Sequence, residues 1–272
     1  MSMKKILVFT DLDGTLMDHD TYAFEDAREI LEGLNKRSIP VIICSSKTRA
    51  EIEVCQQRMG LNAPFVVENG AAVFVPRGML NMERHGFVHK GPYQVLELGT
   101  PYAVVCDAWK RIKDMNHLRM KGFSEMTVQE ICHLTGLPRE EGRLAAMREY
   151  TEPFVSSDTP DHMWLLERAL QKEGLRVTRG GRFYHVIGEN DKGKAVQILR
   201  QLYEESEGGA RFLAVGLGDS ANDIPMLLRV DIPVVIRKTT GRWEYVPAPG
   251  PVVYCGQQGP RGWAEAIHEI LW

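Results

Sequence analysis

The chain has 272 residues, of which 44% are hydrophobic and 25% charged, and its formal net charge is −3 at pH 7. This composition provides no basic surface for nucleic acid, and no stretch approaches the ~20 apolar residues that a membrane span needs. The N-terminus lacks the pattern of a signal peptide, so a cytoplasmic protein with a small-molecule partner is expected.

Two segments of the chain share one α/β pattern. From Lys4 to about Val75, short runs that are apolar at every position (6–9, 41–44 and 65–67) alternate with helical periodicity. The same alternation returns after Asp191, with strands predicted at 212–215 and 232–236. Continuous apolar runs are typical of parallel strands covered by helices on both faces. Together the two segments therefore predict one α/β core, a Rossmann-like doubly wound parallel sheet.

The segment between them has a different pattern. It contains a capping box from Thr127 to Glu130, a helix start with Pro160 at its first position, and two short strands flanking Gly180-Gly181. This segment is predicted to be an inserted α+β cap. The expected boundaries are residues 1–84 and 188–272 for the core and residues 85–187 for the cap.

Two aspartates follow the first predicted strand. Residues two apart in an extended chain point to the same side, so Asp11 and Asp13 can converge where open α/β sheets bind ligands. Carboxylate oxygens suit Mg²⁺, and a metal that retains waters leaves one aspartate free to attack phosphorus. A calcium loop is the alternative, but the further ligands of an EF-hand are not in register. The motif therefore indicates a magnesium site with an aspartate nucleophile.

Ser45 and Ser46 follow the second predicted strand. A hydroxyl and the following backbone amides can donate hydrogen bonds to a phosphoryl group at this edge of the sheet. The pair is also compatible with a cap for the helix that begins near Thr48. Ser45 is the preferred phosphate ligand, but the spacing does not exclude Ser46 from that role.

A lysine stands at the entry to the first helix of the second segment. Lys192 would neutralise the charge shared by an aspartate pair and a phosphate, which would keep a nucleophile ionised. Lys194 lies inside the same helix and is expected to be a solvated surface residue.

The sequence Gly-Leu-Gly-Asp-Ser-Ala-Asn-Asp at 216–223 follows another apolar strand. Asp219 would supply a metal ligand, and Asp223 would lie close enough to orient Asn222, Lys192 or a metal-bound water. The same letters fit a dinucleotide-binding fingerprint, which would make the protein an NADP- or metabolite-binding protein without phosphatase activity. A carboxylate at position 219 opposes the binding of a pyrophosphate in that turn.

Taken together, Asp-x-Asp-Gly-Thr at 11–15, the strand-end serine, the lysine and Gly-Asp-x-x-Asn-Asp at 218–223 resemble the haloacid dehalogenase superfamily of phosphohydrolases. The resemblance implies that Asp11 attacks phosphorus, and that Asp13 protonates the leaving alcohol and then activates water. It also implies that Mg²⁺ is held by Asp11, the backbone carbonyl of Asp13, and Asp219.

Five further segments (45–51, 68–71, 126–137, 148–154 and 180–185) resemble the mannosyl-3-phosphoglycerate phosphatases within that superfamily. This implies a phosphorylated sugar substrate, mannosyl- or glucosyl-3-phosphoglycerate, and a cap that closes over it. A phosphatase or phosphomutase for another sugar phosphate would keep the same core motifs. Arginine forks suit carboxylates, and the candidate substrate ligands are Ser46, Lys47, Asn69, Arg148, Arg179 and Arg182.

Overall fold

The computed structural model of the protein describes residues 5–81 and 86–272. The strands are β1 (Lys5–Thr10), β2 (Val41–Cys44), β3 (Phe65–Val67), β4 (Ala72–Pro76), β5 (Val88–Lys90), β6 (Tyr93–Glu97), β7 (Met120–Gly122), β8 (Glu152–Ser156), β9 (Arg176–Gly180), β10 (Phe183–Ile187), β11 (Phe212–Gly218), β12 (Ile232–Arg237) and β13 (Val253–Gln258).

The helices are α1 (Arg28–Lys36), α2 (Arg49–Met59), α3 (Tyr102–Met115), α4 (Val128–Thr135), α5 (Arg139–Ala145), α6 (Pro160–Gln171), α7 (Lys192–Ser206), α8 (Ile224–Leu227) and α9 (Gly259–Leu271). Within the described residues, none of these helices combines the length and apolar character that crossing a bilayer requires.

A nine-stranded sheet forms the core, in the order β13-β12-β11-β1-β2-β3-β4-β6-β5. The strands from β13 to β3 run parallel, whereas β4, β6 and β5 extend the sheet in antiparallel pairing. The predicted α/β core with a mainly parallel sheet is therefore confirmed. In this order β2 lies on one side of β1 and β11 lies on the other. Open α/β sheets bind ligands at the carboxyl ends of strands where the strand order reverses in this way.

Helices cover both faces of this sheet, which explains the continuous apolar runs. In β1, Val8 packs in the cluster that contains α1, α2 and α9, while Leu7 and Phe9 pack on the opposite side with α7 and α8. A strand buried on both faces needs an apolar residue at every position. The runs at 41–44 and 65–67 are accordingly buried throughout.

A second, four-stranded antiparallel sheet has the order β7-β8-β10-β9. Helices α3 and α6 pack on one of its faces through the cluster that contains Trp109, Phe154, Leu166 and Val186. The predicted capping box is present at Thr127, whose side chain accepts a hydrogen bond from the Glu130 backbone N–H. The two strands expected around Gly180-Gly181 form as β9 and β10.

The hydrogen bonding of β5 and β6 shows on which side of the domain boundary these two strands lie. Residues 88–97 were expected in the cap, but β6 pairs with β4 and β5 pairs with β6, so both strands extend the large sheet. The expected boundary at 84/85 itself falls on residues outside the described part of the chain. We propose that the inserted segment begins after Glu97 and ends near Ile187, where β10 stops.

Candidate active site

Three buried carboxylates meet where β1 and β11 end. One oxygen each of Asp11, Asp219 and Asp223 lies within 4.8 Å of the other two. Asp11 and Asp219 follow neighbouring parallel strands, and Thr10 pairs with Leu217 in the register between them. The sheet therefore brings together carboxylates that are about two hundred residues apart in the sequence.

Lys192 forms ion pairs with two of these three carboxylates. Its Nζ is 2.7 Å from Asp11 Oδ1 and 2.6 Å from Asp223 Oδ1, and its side chain is fully buried. Burial alone would lower the pKa of Lys192, but the charges of Asp11 and Asp223 raise it above its usual value. Lys192 is therefore a fixed cation beside Asp11. Lys194, by contrast, is exposed, as expected.

The cluster contains more negative than positive charge. Burial and the charge of Asp223 raise the pKa of Asp11 well above its ordinary value, although Lys192 opposes this shift. The same two causes raise the pKa of Asp219 to about 7. Buried carboxylate oxygens with uncompensated negative charge suit a hard divalent cation such as Mg²⁺.

The side chain of Asp13 is paired with a second lysine and is not one of the three clustered carboxylates. Asp13 Oδ2 lies 3.2 Å from Lys47 Nζ, which is also 3.4 Å from Glu51 Oε1. The other oxygen, Asp13 Oδ1, is buried with no hydrogen-bond partner among the described residues.

Hydrogen bonds that involve Thr10 and Trp263 fix the backbone at Asp11. Thr10 Oγ1 donates a hydrogen bond to the Asp11 carbonyl oxygen (2.7 Å) and accepts one from Trp263 Nε1 (3.0 Å). Trp263 belongs to α9 and is completely buried. The last helix of the fold thus supports the residue that precedes Asp11.

The two serines after β2 occupy different positions. Ser45 is buried, and its hydroxyl accepts a hydrogen bond from the Lys47 backbone N–H (3.2 Å). Ser46 lines the cavity described below. Neither serine caps α2, because that helix begins with a capping box between Thr48 and Glu51.

Asp223 and Asn222 hold the turn after β11. Asp223 Oδ2 accepts hydrogen bonds from the backbone N–H groups of Asp219 (3.1 Å) and Ser220 (3.0 Å). Asn222 Nδ2 donates a hydrogen bond to Asn69 Oδ1 (2.9 Å), so the two asparagine side chains are in direct contact. Asp223 thus contributes to the carboxylate cluster and also fixes the backbone of Asp219.

A cavity lies between the large sheet and the inserted sheet. Its walls come from the loops after β1, β2 and β11, from the inserted helices, and from the β9–β10 hairpin. The residues that line it are Asp11, Asp13, His19, Tyr22, Ser46, Lys47, Glu51, Phe123, Thr135, Leu137, Ala145, Arg148, Pro153, Gly180, Gly181, Arg182, Phe183, His185, Ser220 and Asn222.

Arg148 reaches the cavity, but protein groups already bind most of its guanidinium. Nη2 lies 3.1 Å from Glu68 Oε2 and donates to the Ser46 carbonyl (3.0 Å), while Nε donates to the Thr151 carbonyl (3.3 Å). The Glu68 carboxylate also accepts hydrogen bonds from the backbone N–H groups of residues 149–151. Glu68 and Arg148 therefore join the inserted segment to the loops after β2 and β3.

Glu68 begins a turn with an uncommon backbone conformation. Glu68, Asn69 and Gly70 have φ values of 47°, 62° and 89° in succession. Non-glycine residues in this region carry a cost of order 1–3 kcal/mol each, which the surrounding contacts must offset. A Cβ atom at Gly70 would lie 2.1 Å from the Asp191 carbonyl oxygen. The turn thus packs directly against the residue that precedes Lys192.

The other two arginines differ in position. Arg182 lines the cavity and donates hydrogen bonds to the carbonyl oxygens of His19 (2.8 Å) and Thr135 (2.6 Å). Arg179 does not line the cavity, although it was a candidate substrate ligand. It is paired in register with Tyr184, so its side chain lies on the Tyr184 face of the sheet, with its guanidinium 5.0 Å from that ring.

A model of the haloacid dehalogenase-like hydrolases matches residues 8–88. A protein of Persephonella marina named glucosyl-3-phosphoglycerate/mannosyl-3-phosphoglycerate phosphatase is 45% identical over 271 residues, which cover 98% of this chain and 97% of the relative. A protein of the same name from Methanococcoides burtonii is 36% identical over 267 residues, with 98% and 97% covered. The chain belongs to the haloacid dehalogenase-like hydrolases.

These relatives are named phosphatases, and their similarity to this chain extends over nearly their whole length. The chain is therefore a phosphoric monoester hydrolase, and the family resemblance is confirmed. The fold agrees. A haloacid dehalogenase-like hydrolase from Bacteroides thetaiotaomicron has a TM-score of 0.66 at 17% identity, with 98% of this chain and 100% of that chain covered. The dinucleotide-binding alternative loses support, because a 3-10 turn and a four-residue helix follow β11 where that fold places a full helix.

The close contact of Gly180 with Asn222 predicts sensitivity at the hairpin of this phosphatase. A Cβ atom at Gly180 would lie 2.6 Å from Asn222 Nδ2, so either the cap hairpin or the asparagine must shift. Small displacements of this kind are costly in an active site, and Gly180→Ala is expected to lower kcat/KM by roughly 10-fold or more. Gly250→Ala is the matched control, because nothing lies within 4 Å of its added Cβ. Equal activity of the two variants in a phosphate-release assay would contradict the prediction.

Proposed function

We propose that the protein is a Mg²⁺-dependent phosphatase that converts mannosyl-3-phosphoglycerate or glucosyl-3-phosphoglycerate to the glycosylglycerate and phosphate through an aspartyl-phosphate at Asp11. The observation that carries this proposal is the 45% identity, over almost the whole of both chains, to a relative named for both substrates. The buried arrangement of Asp11 and Lys192 supports the same chemistry.

Asp11 is suited to the role of nucleophile. The hydrogen bond from Lys192 to Asp11 Oδ1 fixes the carboxylate and favours its ionised form. In the first step an Asp11 oxygen forms a bond to phosphorus, and the bond from phosphorus to the glycerate oxygen breaks. Lys192 remains beside the phosphoryl group and offsets its negative charge.

Asp13 is suited to proton transfer. Lys47 holds Asp13 Oδ2, while Asp13 Oδ1 is free of protein partners among the described residues. In the first step Asp13 donates a proton to the departing glycerate oxygen. In the second step it accepts a proton from the water that attacks the phosphoaspartate, which releases phosphate and restores Asp11. Such acid–base catalysis contributes roughly 10²–10⁴-fold.

Asp11, Asp219 and the backbone carbonyl of Asp13 would hold the Mg²⁺ ion, with Asp223 fixing the turn that carries Asp219. The bound ion would supply positive charge that stabilises the phosphoryl oxygens. Lys192 alone leaves the cluster with excess negative charge, which is the physical reason for expecting a cation here.

Phosphate release from a panel of substrates tests this function. The panel contains mannosyl-3-phosphoglycerate, glucosyl-3-phosphoglycerate, 3-phosphoglycerate and glucose 6-phosphate, each with Mg²⁺ and with EDTA. We expect the two glycosyl compounds to be hydrolysed with the highest kcat/KM, and EDTA to abolish release until Mg²⁺ is added back. Full activity in EDTA would contradict the metal requirement. An isomerised sugar phosphate without phosphate release would indicate a phosphomutase.

A further inference from the structure

His185 is a buried cavity residue to which the proposed chemistry gives no part. It lies in β10, where successive side chains point to opposite faces of the sheet. Tyr184 and Val186 pack with α3 and α6, whereas Phe183 and His185 line the cavity. His185 therefore reaches the site from the inserted sheet, opposite the carboxylate cluster of the core.

The imidazole of His185 has unused hydrogen-bonding capacity. The residue is only 4% exposed, and its Nδ1 is buried with no hydrogen-bond partner among the described residues. A buried polar atom without a partner is costly and requires an explanation, such as a functional role or a water molecule or ion that binds there. The position thus indicates a group that hydrogen bonds to a bound molecule.

The surroundings of His185 define the chemistry of that molecule. Burial and the nearby charges of Arg148 and Lys192 lower the pKa of His185 to about 3, so the ring is neutral at physiological pH. Each nitrogen of a neutral imidazole makes one hydrogen bond, as a donor or as an acceptor according to the tautomer, and a hydroxyl group can be the partner in either case. Other parts of the cavity wall carry the cationic side chains of Lys47 and Arg182, which are better suited than a neutral imidazole to anionic groups of a substrate.

The neighbouring wall fits the same kind of ligand. Phe183 and Pro153, the cross-strand partner of His185, supply apolar surface beside the imidazole. Gly180 and Gly181 at the adjacent hairpin turn also line the cavity and add no side chain of their own to its wall. A few polar groups set in apolar surface are typical of small-molecule sites.

We propose that His185 determines substrate specificity by hydrogen bonding to a hydroxyl group of the sugar moiety. This inference rests on the proposed function, because it requires a substrate in which a sugar extends from the phosphorylated group into the cap. It makes His185 a binding residue for the part of the substrate that does not react.

The test compares His185→Phe, which removes both hydrogen-bonding groups, with His185→Gln, which keeps a donor and an acceptor. The substrates are mannosyl-3-phosphoglycerate, 3-phosphoglycerate and p-nitrophenyl phosphate. We expect His185→Phe to lower kcat/KM for the mannosyl compound by about 10-fold or more. The other two substrates should change by less than about 2-fold, and His185→Gln should retain most of the mannosyl activity. His89→Phe, at an exposed strand position, is the matched control.

Each result bears on the proposal. An equal loss with all three substrates, or a loss shared by 3-phosphoglycerate, would overturn it, because the sugar would not be the group that His185 binds. If His185→Phe does not fold, His185→Leu gives the same contrast. Failure of the proposed function is seen separately, as wild-type enzyme that hydrolyses p-nitrophenyl phosphate but shows no preference for the glycosyl substrates.

Discussion

Asp11→Asn is expected to reduce phosphatase turnover by on the order of 10⁴-fold or more, since an amide cannot replace the attacking carboxylate. The same change is expected to leave the melting temperature in EDTA unchanged or higher. Asp11, Asp219 and Asp223 are three buried carboxylates with one buried lysine, and the neutral amide relieves repulsion among them. If Asp11 is the nucleophile in this crowded anionic site, Asp11→Asn should therefore lose activity while retaining stability.

Phosphate release and thermal unfolding in EDTA measure the two effects, and Asp114→Asn serves as the matched control because its side chain is 75% exposed. Intact-protein mass spectrometry after rapid quenching should detect one added phosphoryl group on the wild type and none on Asp11→Asn. Near-normal turnover of Asp11→Asn would require another nucleophile.

Lys192→Met is expected to be inactive as well, but with the opposite effect on stability. Removing the amine leaves Asp11 and Asp223 without their buried cation, and breaking a buried ion pair costs about 3–5 kcal/mol. For a chain of this size the melting temperature in EDTA should fall by on the order of 10 °C. Turnover should fall about 10²–10³-fold or more, because a charge that stabilises the phosphoryl group is lost.

Lys194→Met is the control, since Lys194 belongs to the same helix but is exposed. Mg²⁺ should raise the melting temperature of Lys192→Met more than that of the wild type, because the cation replaces part of the missing charge. If Lys192→Met were as stable as Lys194→Met in EDTA, Lys192 would not be the counter-ion that its position indicates.

The catalytic half of the site could be predicted from sequence because parallel strands impose a simple geometry. Apolar runs located β1, β2 and β11, and the polar residues that follow such strands must meet at one edge of the sheet. Asp11 and Asp219 were found in this way, and one oxygen of each lies within 4.8 Å of the other. Lys192 was chosen instead from its place at the entry to a helix, and its Nζ lies 2.7 Å from Asp11 Oδ1.

The site residues contributed by the inserted segment were harder to predict, because their contacts depend on strand register and on long-range packing. Arg148 was expected to bind a substrate carboxylate, yet much of its guanidinium binds Glu68, the Ser46 carbonyl and the Thr151 carbonyl. Glu68 itself had no assigned role, although its place before Asn-Gly at the end of β3 was a usable signal for a tight turn.

Strand alternation explains why the two candidate arginines of the β9–β10 hairpin lie differently relative to the cavity. Arg179 and His185 lie on adjacent strands of the same hairpin, but the register pairs Arg179 with Tyr184 and so turns it away from the cavity. Arg182 follows the turn and does line the cavity. Knowledge of that register would have selected His185 over Arg179, and the sequence alone does not reveal which face of a short hairpin meets a ligand.

The support that α9 gives to Thr10 has a consequence for biosynthesis. Trp263 is separated by 253 positions from the threonine that it contacts, and β1 also needs β11 as a partner. During translation the segment with the reactive aspartate leaves the ribosome long before these neighbours do. Its final surroundings require closure of a very long loop, so β1, which precedes β11 and α9 in the chain, is completed only after both have been made.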